Sequence, residues 1–166
     1  MKLAFRLKHY LFNGFREFFV HHHGSLEFRA KIFALVIAAN EKSSVECYIF
    51  IKNYALYTYD DDIDRANLLM LTTKEIVKKI HDDNGLDLDT LVANIQSLLK
   101  VVPRYAKKIE LEPLREIVAL THDEDAYHYQ MNILEFLQTL KDETLETKKS
   151  QIAHDEGLLH LKEKTK

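Results

Sequence analysis

The chain is predicted to fold as a single all-α bundle of about six to seven helices. Three observations predict this class. Apolar residues recur at helical spacing, about every 3.6 residues, and no alternating strand pattern persists. Four glycines and two prolines leave little material for the tight turns of an all-β protein. A length of 166 residues with 46% hydrophobic residues suits one domain with one core.

Two apolar patterns identify the principal helices. The more regular one predicts an amphipathic helix, with apolar residues at Leu88, Leu91, Val92, Ile95, Leu98, Leu99 and Val102. The other, over residues 28–39, is apolar on nearly every side, which is typical of a central helix buried by its neighbours. Further apolar patterns follow in residues 114–121 and 129–140 and complete the predicted bundle.

Polar residues predict where two helices begin. Ser43 and Glu46 have the spacing of a capping box, so a helix is expected to start there and to run to about Tyr59. The acidic residues 60–62 are expected to cap the next helix, because their carboxylates can accept hydrogen bonds from the free amides of a first turn.

Glycine and proline predict where helices end or break. Gly85 is expected to supply the left-handed residue that ends the helix begun near residue 62. Pro103 suits a helix start, since the amide that proline lacks is unpaired there in any case. Pro113 predicts a kink or a break, because inside a helix it removes a backbone donor.

The composition divides the chain into three parts. Residues 1–24 are predicted to form a basic and aromatic N-terminal helix, residues 25–142 the helical domain, and residues 143–166 a flexible, charged C-terminal tail of frayed helix or disordered chain.

Charge is uneven along the chain. Residues 1–31 hold six basic and two acidic residues, whereas residues 60–90 hold four basic and nine acidic residues. This asymmetry bears on the choice of partner.

The sequence favours a cytoplasmic protein. Residues 1–24 lack the uninterrupted apolar core of a signal peptide, and no apolar run reaches the roughly 20 residues that span a bilayer. The single cysteine, Cys47, cannot form a disulfide within the chain and is expected to be buried and unreactive.

Catalysis is not expected from the motifs. The sequence lacks the glycine-rich phosphate loops and the serine nucleophile motif of known enzyme classes. Nine histidines are present, but His21–His23 are consecutive, and two further pairs, His122 with His128 and His154 with His160, are six residues apart. Neither arrangement matches helical zinc ligands, which are four residues apart. No cofactor and no nucleic-acid partner are predicted.

Two stretches look like divergent copies of one unit. Residues 28–56 and 114–140 each contain an apolar helix, a short polar turn and a second helix that opens into aromatic and aliphatic residues. The turns lie at residues 40–42 and 122–124 and carry acidic side chains. A pair of acidic turns is expected to form one charged surface.

The turn segments carry a family resemblance. Residues 36–46, VIAANEKSSVE, and residues 118–125, VALTHDED, resemble the repeated helix-turn signature of the TerB-like family, the tellurite-resistance B proteins and their DjlA-type relatives. Asn40 takes the place of the family's Asp, and both turns lack its glycine. The resemblance covers residues 26–142 and implies a helical fold, a role in stress response and a divalent-cation site. The candidate metal ligands are Glu41, Asp123 and Glu124, with helix capping as their alternative role.

The predicted function is that of a non-enzymatic interaction module with a protein partner, peripheral at the inner face of a membrane. An anionic membrane or a partner is expected to contact the basic and aromatic residues Lys2, Phe5, Arg6, Phe12, Phe15, Arg16 and Phe19. The alternative for that segment is packing onto the core. Two other functions stay open: a cation sensor or small metal-dependent enzyme that uses the acidic turns, and a helical co-chaperone or secretion adaptor. The oligomeric state is not predicted.

Overall fold

The computed structural model describes residues 24–164, with side chains described as far as Glu156, and confirms the all-α fold class. The helices that follow one another along this part of the chain are α1 Gly24–Ala38, α2 Val45–Thr58, α3 Ile63–His81, α4 Leu88–Val101, a 3₁₀ helix at Pro103–Lys108, α5 Leu111–Ala119 and α6 Glu124–Lys164. Strands are absent from the described residues, and the predicted count of six to seven helices is confirmed there.

Helix α1 lies at the centre of the bundle, as its all-round apolar sequence predicts. Eleven of its fifteen residues are buried, and it contacts α3, α4, α5, α6 and the 3₁₀ helix. Phe28 and Leu35 are among the largest side chains that are fully buried. Helix α2 packs mainly on α3, so it lies at the edge of the bundle and keeps one side toward solvent.

The start of α3 is capped as predicted, whereas the start of α2 is not. Asp62 accepts a hydrogen bond from the amide of Arg65 at 3.0 Å. The predicted box of Ser43 and Glu46 does not form, because α2 begins at Val45 and Ser44 is its N-cap residue. Glu46 is then the second helical residue, one position too early for a capping box. The Glu46 carboxylate accepts hydrogen bonds from its own backbone amide and from the Ser44 hydroxyl, and these lower the pKa of Glu46.

An aspartate, rather than glycine, ends α3. Helix α3 stops at His81, and Asp83 takes the left-handed conformation with φ of 50°, two residues before Gly85. The amide of Asn84 donates to the Lys79 carbonyl at 2.9 Å, which completes a Schellman motif. Gly85 is itself left-handed, with φ of 75°, as predicted, but it lies two residues beyond the one that ends α3. Aspartate can replace glycine here because its short polar side chain tolerates the left-handed region.

Both prolines act as predicted. Pro103 opens the 3₁₀ helix, and the chain then leaves the helical conformation at Ile109 and Glu110 before α5 begins. Pro113 is the third residue of α5, where its missing amide would have had no partner within the helix. The expected break therefore lies just before this proline.

The predicted boundary at residue 142 is not the end of a helix. Helix α6 continues without interruption to Lys164, which makes it 41 residues and about 60 Å long. Leu145 still packs against the core, and residues 149–156 are exposed. The loss of apolar residues after Asp142 thus marks where α6 leaves the core, because an exposed helix needs no apolar face.

Two further expectations concern the cysteine and the membrane. Cys47 is free and buried, with 5% of its surface exposed, as predicted. Among the described residues, no helix has both the length and the hydropathy needed to cross a bilayer.

Candidate functional site

The two predicted turns lie side by side at one end of α1. The α1–α2 turn reaches the α5–α6 turn through Asn40, whose Nδ2 donates to Thr121 Oγ1 at 3.5 Å. The Thr121 hydroxyl donates in turn to Gln130 Oε1 at 2.7 Å, and Gln130 Nε2 donates to the Val36 carbonyl at 2.9 Å. The expectation that the paired turns form one surface is therefore confirmed.

These contacts complete the C-terminal end of α1. The last carbonyls of a helix have no partner within it, and at a buried end they must be paired by other groups. Gln130 of α6, which is only 1% exposed, donates a hydrogen bond to the Val36 carbonyl. The ring Nε2 of His81 lies 3.1 Å from the Ala38 carbonyl. The polar residues behind the turns therefore have a structural role.

The proposed metal ligands of the turns are not brought together. A surface cleft of about 410 Å³ is lined by Glu41, Asp123 and Asp125 among others, but Glu124 is not among its lining residues. Glu124 lies 3.9 Å from the ring of His128 on the exposed side of α6. Within the described residues, no three acidic, histidine or cysteine side chains are grouped closely enough to hold a metal ion.

Asp123 caps α6. Its carboxylate accepts a hydrogen bond at 2.8 Å from the amide of Ala126, the third residue of that helix. The alternative role that the sequence left open for this residue, helix capping, is the one observed.

The capping role predicts how two substitutions of Asp123 differ. We expect Asp123→Ala to lower the free energy of unfolding by about 1 kcal/mol and Asp123→Asn to leave it nearly unchanged, because asparagine is also a good N-cap residue. Urea titrations of both variants measure this. Equal losses for the two variants, or a melting temperature of the wild type that rises specifically with calcium, magnesium or zinc, would show that the carboxylate charge matters and would favour a cation site.

A partly buried ion pair joins α1 to the residue before α5, and a tyrosine of α2 hydrogen-bonds to it. Arg29 of α1 donates from Nη2 to Glu110 Oε1 at 2.6 Å, and Tyr54 of α2 donates its hydroxyl proton to Glu110 Oε2 at 2.9 Å. The Arg29 side chain is 8% exposed and that of Glu110 37%. Arg29 also reaches the Tyr59 hydroxyl at 3.4 Å, and its guanidinium lies 5.7 Å from the centre of that ring. The sequence reasoning did not identify this network.

Tyr54 has an altered acidity. Burial, above all, raises the pKa of Tyr54 to about 12, with a further contribution from the nearby Glu110 carboxylate, while Arg29 acts in the opposite direction. The ring also meets Phe33 edge-on, with centroids 5.3 Å apart. Tyr54 therefore keeps its proton in the folded state at a pH where the unfolded chain has lost it.

This difference predicts a loss of stability at alkaline pH. The pKa of Tyr54 is higher in the folded protein than in the unfolded chain. Its contribution to the free energy of unfolding is therefore complete below about pH 10 and is lost as the pH rises toward about 12. We expect Tyr54→Phe to reduce the slope of unfolding free energy against pH in this window, measured by urea titration. Tyr57→Phe, on the exposed side of α2, is the matched control and should keep the wild-type slope. An unchanged slope in Tyr54→Phe would contradict the assignment.

Helix α2 carries exposed apolar residues along one side. Val45, Ile49 and Tyr57 are 69%, 56% and 89% exposed, and with the exposed Asn53 they are spaced four residues apart. Residues four apart are neighbours on a helix surface, and because each step turns the row by about 40°, the row winds across a broad side of α2. We call these three apolar residues the α2 stripe. Ile63, the first residue of α3, is 62% exposed.

Exposed acidic residues lie close in sequence to both ends of the α2 stripe. The exposed acids near it are Glu46, Asp60, Asp61 and Asp64. Lys52 is the only basic residue of α2. The Asp62 carboxylate already has partners within the chain, because it caps α3 and forms an ion pair with Arg65 at 3.2 Å. The exposed charged residues near the stripe in sequence are therefore mostly acidic, with Lys42 as the exposed basic residue before α2. The α2 stripe was missed from the sequence, because α2 has apolar residues on several sides.

The predicted membrane or partner surface lies outside the described residues. This applies to Lys2, Phe5, Arg6, Phe12, Phe15, Arg16 and Phe19. At the start of α1, where that segment joins the bundle, a cleft is lined by Gly24 and Ser25 together with Arg104, Lys107 and Lys108 of the 3₁₀ helix. The junction is therefore basic on the side of the described residues.

No family model, curated protein or solved structure matches this chain. The resemblance to the TerB-like family therefore remains a prediction that depends on residues 36–46 and 118–125.

Proposed function

We propose that this chain is a non-enzymatic helical interaction module that binds a protein partner through the α2 stripe. The exposure of Val45, Ile49 and Tyr57 along one helix face is the observation that carries the proposal. Single exposed apolar residues are ordinary on protein surfaces, but three on one helix, interrupted only by Asn53, are more typical of an interaction site. Tyrosine is also enriched among the residues that contribute most to binding.

The edge of the stripe defines the chemistry of the partner. An amphipathic helix with apolar residues at intervals of three and four would match the spacing of the stripe. Basic residues beside that apolar row would face Glu46, Asp60, Asp61 and Asp64. The proposed partner surface is therefore a basic amphipathic helix. This agrees with the co-chaperone or adaptor alternative more closely than with a cation sensor.

Two observations favour binding over catalysis. The sequence contains no nucleotide-binding loop and no serine nucleophile motif. The buried side chains of Arg29 and Gln130 are hydrogen-bonded to other parts of the bundle, and that of Thr73 to the Leu69 carbonyl of its own helix, so all three are engaged in structure. A cytoplasmic, membrane-peripheral location and a role in stress response belong to the same proposal and derive from the composition of residues 1–24 and from the TerB-like resemblance.

Site-specific photo-crosslinking in cells tests the proposal. A photoreactive residue is placed at position 49 or 57 of the full chain, and as a control at position 116, which is exposed on α5. We expect one and the same protein to be captured from positions 49 and 57 but not from position 116. Ile49→Asp should lower the crosslinking yield at position 57 by about tenfold, which corresponds to ~1.4 kcal/mol of binding energy. Capture of the same proteins from all three positions would contradict the proposal.

A further inference from the structure

We propose that two copies of this chain associate weakly through the exposed part of α6, with the two helices antiparallel and Ile152 of each copy at the crossing point. This association goes beyond the proposed function, because it uses no residue of the α2 stripe. The contact is made by residues 148–156 of both copies.

Helix α6 extends beyond the helices that pack on it. A groove of about 460 Å³ lies between α6, the end of α4 and Pro103, and Gln151 is the last residue of α6 that lines it. Residues 149–156 are all exposed. Ile152 is the only large apolar residue among them, and it is 48% exposed. This part of α6 therefore offers an open helical surface with one apolar residue near its middle.

Charged residues flank Ile152 in a regular order. Lys149 and Glu156 are seven residues apart, as are Lys148 and Asp155, so each pair lies on one side of the helix. Because successive residues are turned by about 100°, the first pair lies roughly 40–60° to one side of Ile152 and the second pair roughly 40–60° to the other. On both sides the lysine precedes Ile152 and the acid follows it.

An antiparallel second copy brings opposite charges together on both sides. A two-fold axis at Ile152 reverses the order of each side, so that base meets acid. Lys149 then faces Glu156 of the second copy, and Lys148 faces Asp155 of the second copy, each within about 1.5 Å along the helix axis. Parallel helices would place lysine beside lysine and acid beside acid. The charge order therefore favours the antiparallel arrangement.

The four charged side chains are available for these contacts. Across the described part of the chain, none of them forms an ion pair with another residue of its own copy. Lys148 is half-buried beside the groove, and the other three are exposed. Exposed ion pairs contribute little individually and are screened by salt. A crossing of two short helical segments is also smaller than the interfaces of about 1,200–2,000 Å² that hold stable complexes, so the dimer is expected to be weak.

Sedimentation equilibrium of the full-length protein tests the association. We expect a reversible monomer–dimer equilibrium with a dissociation constant on the order of 0.1 mM at low salt. The equilibrium should shift toward the monomer as salt is added, because the ion pairs are screened. A protein that stays monomeric up to about 1 mM overturns the inference, as does association that strengthens with salt.

Exchanging the charges gives a sharper test. One variant carries Lys148→Glu and Lys149→Glu, and the other carries Asp155→Lys and Glu156→Lys. Like charges face each other in a dimer of either variant, so each dissociation constant should rise at least about tenfold. An equal mixture should form dimers that contain one copy of each variant, because every opposite pair is then restored. A mixture that stays monomeric overturns the inference.

A matched control separates this effect from net charge. The control carries Lys42→Glu and Lys107→Glu, which change two exposed lysines elsewhere in the bundle and alter the net charge by the same amount as the first variant. It should dimerise as the wild type does. Circular dichroism and urea titration confirm that every variant is folded. Equal loss of dimer in the control overturns the inference, because general repulsion would then explain the result.

Two apolar substitutions distinguish this dimer from contacts of the α2 stripe. Ile152→Asp should abolish dimerisation, because the two-fold axis would place two carboxylates face to face. Ile49→Asp, at a residue that is also exposed, should leave the dimer unchanged while it lowers the yield of partner crosslinking. A dimer that survives Ile152→Asp, or one that is lost in Ile49→Asp, overturns the inference. Neither result alters the test of the proposed function, whose readout is capture of a different protein.

Discussion

Replacing Ile51 with alanine is expected to lower the free energy of unfolding by about 3–4 kcal/mol. Ile51 is fully buried on the inner side of α2. The substitution removes three carbons from the core, so the free energy gained by transferring them from water to the interior is lost. It also leaves a cavity among the surrounding side chains. Substitutions of this kind cost about 2–5 kcal/mol. In a chain of this size the melting temperature should fall by roughly 10 °C. Calorimetry and urea titration measure the two quantities.

Ile49→Ala is the matched control, two residues away on the same helix. Ile49 is 56% exposed, so the same chemical change should alter the free energy of unfolding by no more than about 0.5 kcal/mol. It should instead weaken partner capture through the α2 stripe. If both substitutions destabilised the fold equally, Ile49 would belong to the core, and the stripe could not be an open binding surface.

Replacing Glu110 with alanine is expected to cost about 2–3 kcal/mol of stability, measured by urea titration. The substitution removes the acceptor of two hydrogen bonds, from Arg29 and from Tyr54, and leaves the guanidinium buried without its carboxylate. Breaking a fully buried ion pair costs about 3–5 kcal/mol, and the partial exposure of Glu110 reduces this figure because water can solvate the vacated position.

Glu112→Ala is the control for Glu110. Glu112 pairs with Arg115 at 2.6 Å but is 84% exposed, so its removal should change stability by less than about 1 kcal/mol. Adding Arg29→Met to the Glu110→Ala variant should restore part of the lost stability, because the unpaired buried charge is removed. Strictly additive losses from the two substitutions would show that the ion pair is not the coupled unit described here.

The parts of the fold that depend on local pattern were predictable. The helix over residues 88–101 follows from its apolar spacing alone, and Asp62 caps α3 because its carboxylate needs only the next turn of the chain. Helix ends were placed less well, as at Asp83, since both aspartate and glycine can take a left-handed conformation. The sequence does not show which of two neighbouring candidates takes it.

The parts that depend on distant contacts were less predictable. The repeated units correctly indicated adjacent turns, but the direction of each acidic side chain depends on local hydrogen bonds such as that of Asp123. The Arg29 ion pair joins residues 81 positions apart, and no pattern around Arg29 points to Glu110. The α2 stripe escaped notice for a related reason. In a helix with apolar residues on several sides, only the position of α3 determines which side is covered.

The central place of α1 has a consequence for synthesis on the ribosome. Val36 meets Gln130, which is 94 residues later in the chain, so one of the carbonyls at the end of α1 lacks its partner until α6 has begun to emerge. At about 5–20 residues per second, that delay is on the order of 5–20 s. During this time α3 and α4 emerge and cover part of α1, but the side of α1 that α6 will contact stays open. The nascent chain should therefore bind general chaperones through residues 26–38 and release them once α6 has been translated.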